Sequence, residues 1–120
     1  MTAVQEGLSR LMEYDGVTLA VLVGRDGLLI DGMAKDGDSD LESLSAIISN
    51  LMTQAERVGS QIEQGALAQM ILEYGPFFAV VEPLGEDIVV VGADKPASLG
   101  LLRTAIKRHR NELLTAAQNF

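Results

Sequence analysis

The sequence predicts a three-layer α/β/α sandwich, an α+β fold in which helices cover both faces of a five-stranded antiparallel sheet. Three observations carry this prediction. Five segments rich in β-branched and apolar residues are set apart by short turns bearing Gly, Pro and Asp. Amphipathic helical patterns fall before, between and after them, in the order α-β-β-α-β-β-β-α. Leu19–Val23, Phe77–Val81 and Ile88–Val91 are apolar at successive positions, whereas a sheet with one wet face would alternate. The middle helix then forms one layer and the terminal helices the other.

The first helix places Val4, Leu8, Leu11 and Met12 at helical spacing, and Thr2 with Gln5 makes a capping box. Gly16 separates it from the strand Val17–Val23. Gly24-Arg25-Asp26-Gly27 follows as a tight turn, since Asp and Gly both tolerate positive φ, and Leu28–Met33 returns as the second strand of a hairpin. The acidic loop Asp36–Asp40 leads into the middle helix, with Ser39 and Glu42 as its capping box. Leu41, Leu44, Ile47, Ile48, Leu51, Met52, Ala55 and Val58 share one side of that helix, and Gly59 is placed to end it. At about 100° per residue they cover an arc of roughly 140°, wider than the ~100° stripe of a helix lying on one core. Small residues (Ser43, Ser45, Ala46, Ser49 and Thr53) occupy the remainder. A wide apolar arc beside small side chains predicts a helix that also lies in an interface.

Three strands are expected next, Ala66–Tyr74, Phe77–Leu84 and Ile88–Ala93, joined at Gly75-Pro76 and Gly85-Glu86-Asp87 into an antiparallel meander. Pro83 fits only a terminus, an edge or a bulge. The last helix is expected from Pro96–Ser98 to about Asn119, with Leu99, Leu102, Ile106, His109, Leu113, Ala116 and Phe120 on one face. The whole is read as a single domain, residues 1–120.

Composition narrows the chemistry. The chain has 120 residues, no cysteine, one histidine and a net charge of −8. Without cysteine there are no disulfides, thiolate metal sites or thiol nucleophiles. Nine basic against seventeen acidic residues argue against nucleic-acid binding. The start of the chain lacks a secretory hydrophobic region, and Val17–Val23 is far shorter than the roughly 20 residues of a membrane span. A cytoplasmic protein without membrane contact is expected.

The candidate sites each have a plainer reading. Asp36, Asp38 and Asp40 resemble a calcium loop, but that loop's sixth and twelfth positions hold Leu41 and Ile47 in place of Gly and Glu, so a solvated helix cap is expected. His109 falls on the apolar face of the last helix and is expected to be a packed, hydrogen-bonded core histidine. Arg103, Lys107, Arg108 and Arg110 form the basic cluster, read as a solvated face favoured by the helix C-terminal half, with a docking stripe for an acidic partner or phosphate as the alternative. No Gly-rich nucleotide fingerprint is present. Gly100, one turn into a helix, is expected to mark close approach to a neighbouring strand. No catalytic, cofactor-binding or metal-binding residue is assigned.

The element order, together with Leu19-Ala-Val-Leu-Val-Gly-Arg-Asp-Gly27 and Pro83-Leu-Gly-Glu-Asp-Ile-Val-Val-Val-Gly-Ala-Asp94 leading into Ser98-Leu-Gly-Leu-Leu-Arg103, resembles the Roadblock family of dynein-light-chain-like domains over essentially the whole chain. The resemblance implies the profilin-like Roadblock fold and a homodimer in which third strands pair and middle helices pack. Mapped onto this sequence, the interface falls on Leu41, Ile48, Met52, Leu67, Gln69, Ile71 and Glu73. It further implies a Ras-like small GTPase as partner, since bacterial members of the gliding-motility (MglB-like) type bind such GTPases and stimulate hydrolysis without supplying a catalytic residue. Ser45, Ser49 and Glu56, on the helix margin that also holds Met52, are the expected partner contacts. Periodicity alone does not say which margin faces the mate. The alternative function is a small-ligand sensor of profilin-like or PAS-like type, whose pocket would be lined by Tyr14, Tyr74, Phe77, Phe78 and Phe120.

Overall fold

The computed structural model describes residues 1–94 and 97–120. Its elements are α1 (Ala3–Met12), β1 (Val17–Gly24), β2 (Leu29–Ala34), α2 (Leu41–Gln61), β3 (Met70–Glu73), β4 (Phe77–Leu84), β5 (Asp87–Asp94) and α3 (Leu99–Gln118). The five strands form one sheet in the order β2-β1-β5-β4-β3, with every neighbouring pair antiparallel. The predicted order, sheet and layering are all present. α1 and α3 pack together over one face, and α2 lies on β1 and β2 over the other.

Each face has its own core. Leu8 and Leu11 of α1, Leu102, Ile106 and Leu113 of α3, and Ala20, Leu22, Val80, Val89 and Val91 of the sheet fill one. Val21, Val23, Ala79, Val81, Ile88 and Val90 meet Ile48 and Met52 of α2 in the other. Alternate residues of β1, β4 and β5 thus point into opposite apolar layers, which is why these strands read as continuous apolar runs.

Local signals place the ends of the elements. Thr2 and Gln5 make the expected reciprocal cap on α1. In the β1–β2 hairpin only Gly27 takes a positive φ (+89°). The Gly27 N–H donates to the Gly24 carbonyl and the Asp26 carboxylate accepts the Leu28 N–H, so Gly27 alone provides the left-handed residue. The cap of α2 is Asp40 rather than Ser39. α2 also runs past Gly59 to Gln61; Gly59 instead leaves room for the returning loop, whose Gly65 carbonyl would lie 2.9 Å from an added Cβ. Of the expected start of the last helix, Pro96 lies outside the described residues, and Ser98 caps α3 by accepting the Leu101 N–H.

β3 is shorter than the predicted Ala66–Tyr74. Its register pairs Met70 with Val81, so Ala68 would come opposite Pro83. Pro83 has no N–H, and its carbonyl accepts a hydrogen bond from Arg110 Nη2 at 2.7 Å, so the ladder stops. Gly100 is open to solvent, with nothing within 4 Å of an added Cβ, which removes the predicted close approach to a strand.

Candidate interaction surface

The site of interest grows from the orientation of α2. Asp40 opens the helix: its Oδ1 accepts the Ser43 N–H at 3.0 Å and its Oδ2 accepts the Ser43 hydroxyl at 2.7 Å. These hydrogen bonds hold the Asp40 carboxyl below its ordinary pKa. One turn on, Ser45, Ile48, Ser49 and Met52 face the sheet and are buried. The Ser45 hydroxyl donates to the Leu41 carbonyl at 2.7 Å, and the Ser49 hydroxyl donates to the Arg25 carbonyl at 2.6 Å. Glu56, two turns further, pairs with Arg25 through a 2.5 Å contact. This flank of α2 therefore straps down the β1–β2 hairpin, and small residues on both sides make the approach possible. A Cβ on Gly27 would lie only 3.6 Å from the Ala46 Cα.

The residues expected to contact a partner sit on this flank. Ser45 and Ser49 lie beneath the helix with their hydroxyls bonded within the chain, and Glu56 is committed to Arg25. Two residues expected at the dimer contact lie deeper. Ile48 and Met52 are core residues, fully enclosed by the sheet. The helix is rotated so that its small residues, and not the centre of its apolar arc, mark the side nearest the hairpin.

The surplus apolar surface sits on the opposite flank. Ile47 is 64% exposed, Val58 59% and Ile62 58%, with half-buried Leu44, Leu51 and Ala55 between them. From Leu44 to Ile62 they follow one another at intervals of three or four residues, the pattern of a seam meant for another helix. At about 1.5 Å per residue the seam rises roughly 27 Å. Ile62 lies beyond the predicted helix stop at Gly59 and was missed for that reason.

The third strand adds a second unpartnered feature. β3 is an edge of the sheet. Met70 and Leu72 pack against the core beneath α2's layer, as do Leu41 and Leu67, while Ile71 points to the other face and is 43% exposed. Gln69 Nε2 donates to Glu82 Oε2 at 3.1 Å. A short edge strand with an exposed isoleucine is a site for pairing with another strand.

The remaining candidates fall elsewhere. His109 Nε2 lies 3.1 Å from the Tyr14 hydroxyl and its Nδ1 lies 3.7 Å from Glu112, at the rim where α1 meets α3. It is hydrogen-bonded as expected, but it stands half-buried at the rim and outside the core cluster that the sequence assigned it to. Among the described residues no three His, Asp or Glu side chains converge as a metal site. The aromatic side chains do not line one cavity: Tyr14 is at the α1–α3 rim, Phe78 is in the α1/α3 core, Tyr74 and Phe77 stack at the β3–β4 turn, and Phe120 is exposed. No helix among the described residues is long and apolar enough to cross a membrane.

Residues 3–92 match the Roadblock/LC7 domain model. The chain belongs to the Roadblock/LC7 family. The uncharacterized protein MJ0714 of Methanocaldococcus jannaschii is 34% identical to it over 106 residues, which are 88% of this chain and 89% of that one. Among solved structures, Myxococcus xanthus MglB superposes with a TM-score of 0.92 at 21% identity, covering 100% of this chain and 98% of that one. Acanthamoeba castellanii profilin II superposes at 0.63 and 16% identity over 100% and 98% of the two chains. At those identities the likeness is one of fold. In this Roadblock/LC7 domain, the α2 seam and the β3 edge both leave large apolar side chains exposed.

Proposed function

We propose that this Roadblock/LC7 domain, as one unit of residues 1–120, is a homodimeric, non-enzymatic cytoplasmic regulator or scaffold for a Ras-like small GTPase. The observation that carries the reading is the α2 seam. A monomer gains nothing from holding Ile47, Val58 and Ile62 in water, and a second α2 with the same three–four spacing is its natural cover. Leu41, Leu67, Gln69, Ile71 and Glu73 are the further contacts expected at the mate, with β3 continuing the sheet into a second copy. The GTPase would dock on the paired helices, bordered by the Arg25–Glu56 pair, and be modulated through surface complementarity acting on its own catalytic groups. Family membership and the MglB-like fold support the GTPase as partner.

The test uses immobilised domain and lysate loaded with a non-hydrolysable GTP analogue. A small GTPase should be retained by the wild-type chain and lost with Ile47→Glu, and its hydrolysis rate should then be measured with and without the domain. A chain that is monomeric and retains no GTPase sinks the reading.

A further inference from the structure

A second surface lies on the α1/α3 side. Arg103, Lys107 and Arg110 line one side of α3 and, with residues 67–69, Pro83 and Thr104, line a groove of about 510 Å³. The wall of this groove is built rather than loose. Arg110 donates to the Pro83 carbonyl and sits 3.4 Å from Glu82 Oε1, while Glu82 Oε2 accepts from Gln69. Glu82 is thereby used by both neighbours. Arg103 and Lys107 are exposed, and neither makes an ion pair among the described residues.

Their position on the helix needs a reason. Arg103 and Lys107 are the fifth and ninth residues of the 20-residue α3. That is its N-terminal half, where the helix dipole gives cations no advantage. The C-terminal-half explanation offered by the sequence therefore does not cover them. The chain carries a net charge of −8, and these positive heads are gathered on one groove.

Charge complementarity argues for an acidic occupant, and the spacing is compatible with an extended one. Residues four apart on a helix rise about 6 Å, and alternate side chains of an extended strand lie about 6.6–6.8 Å apart on one face. We infer that this groove binds an extended acidic segment of a partner protein, with carboxylates on alternate residues meeting Arg103 and Lys107 and its backbone lying along Leu67–Gln69. The apolar part of the lining, Ala68 and Pro83 with the edge of Leu67, takes the side-chain stems between the charges. The cations are on α3 and not on the α2 seam. Leu67 and Gln69 are also expected at the mate, so the inference requires the bound segment to lie on the α3 side of these residues.

The experiment is fluorescence anisotropy with a labelled Gly-Glu-Leu-Glu-Leu-Glu-Gly peptide, using its Gln-for-Glu counterpart as control. It is run on the wild-type chain, on Ile47→Glu and on the double variant Arg103→Gln/Lys107→Gln. The Glu peptide should bind the first two, and the Gln peptide should not. The double variant should weaken binding about five- to tenfold, as the loss of two exposed ion pairs allows. Raising salt from about 0.05 to about 0.5 M should weaken it as well, because the Debye length shrinks. Equal binding by the double variant overturns the proposal. So does binding seen only with Ile47→Glu, or capture of tripolyphosphate in place of the peptide. Circular dichroism of the double variant, whose substituted side chains are exposed, keeps a folding defect from being mistaken for lost binding.

Discussion

Gly92→Ala tests the packing of the α2 face of the sheet at a place where distances fix the outcome. A Cβ at Gly92 would lie 2.3 Å from Phe77 Cζ, 2.9 Å from Phe77 Cε2 and 3.3 Å from the Leu19 Cβ. Carbon atoms prefer separations of about 3.5–4.0 Å, so the ring must move by more than about 1 Å. Phe77 is half-buried and sits beside Tyr74, with ring centroids 6.4 Å apart, so it can swing outward and give up its contacts over the strand. Forced repacking of this kind costs about 1–3 kcal/mol. At about 4 °C per kcal/mol for a domain of this size, the melting temperature should fall by roughly 4–12 °C. Urea unfolding of Gly92→Ala, Phe77→Leu and the double variant gives the coupling directly, and the double variant should recover at least about 0.5 kcal/mol relative to additivity. An unchanged midpoint for Gly92→Ala, or strict additivity with Phe77→Leu, would refute the packing argument.

Ser49→Ala removes the hydroxyl bonded to the Arg25 carbonyl, and should lower unfolding free energy by about 0.5–1.5 kcal/mol with faster amide exchange in the β1–β2 turn; no change in either would contradict the strap. Gly100→Ala adds a Cβ into open space within α3 and should stabilise the protein by about 0.5–1 kcal/mol in urea unfolding, whereas a loss would mean the helix start is crowded. Asp87 has its carboxyl pushed above the ordinary value of 3.8 by burial first, then by the charges of Glu86 and Asp26. A raised folded pKa contributes stability below the unfolded value that is lost as pH rises through the folded value. Asp87→Asn should therefore be more stable than wild type at neutral pH, with the advantage shrinking as pH falls into the carboxylate range; an advantage independent of pH would remove Asp87 ionisation as its cause.

The strands and their order were legible because two-sided burial writes itself as unbroken apolar runs, as in Phe77–Val81 and Ile88–Val91. The face of α2 was only half legible. Periodicity measured the width of the arc correctly, but serine reads as polar and was placed outside. Ser45 and Ser49 are compatible with the core because the Leu41 and Arg25 carbonyls accept their protons, and their small size lets the helix approach the hairpin. The available signal was their four-residue spacing, with Ser49 lying opposite Gly27 of the hairpin turn. Asp40 displaced Ser39 as the cap, a distinction of one residue that loop geometry makes and composition does not. The length of β3 depended on its register against Pro83, which only the pairing reveals. The aromatics offered for a ligand pocket do not share one lining, because only Tyr74 and Phe77 come together while Tyr14, Phe78 and Phe120 lie elsewhere in the fold.

The central claim is that the flank of α2 bearing Ile47, Val58 and Ile62 is covered by a second copy of the chain. Light scattering coupled to gel filtration at micromolar concentrations measures this most directly. The wild-type chain should elute at twice its 12.8 kDa mass, and Ile47→Glu/Val58→Glu should elute as a folded monomer, since both side chains are largely exposed within one protomer. A wild-type chain at the monomer mass, or a double variant that remains dimeric, would contradict the account.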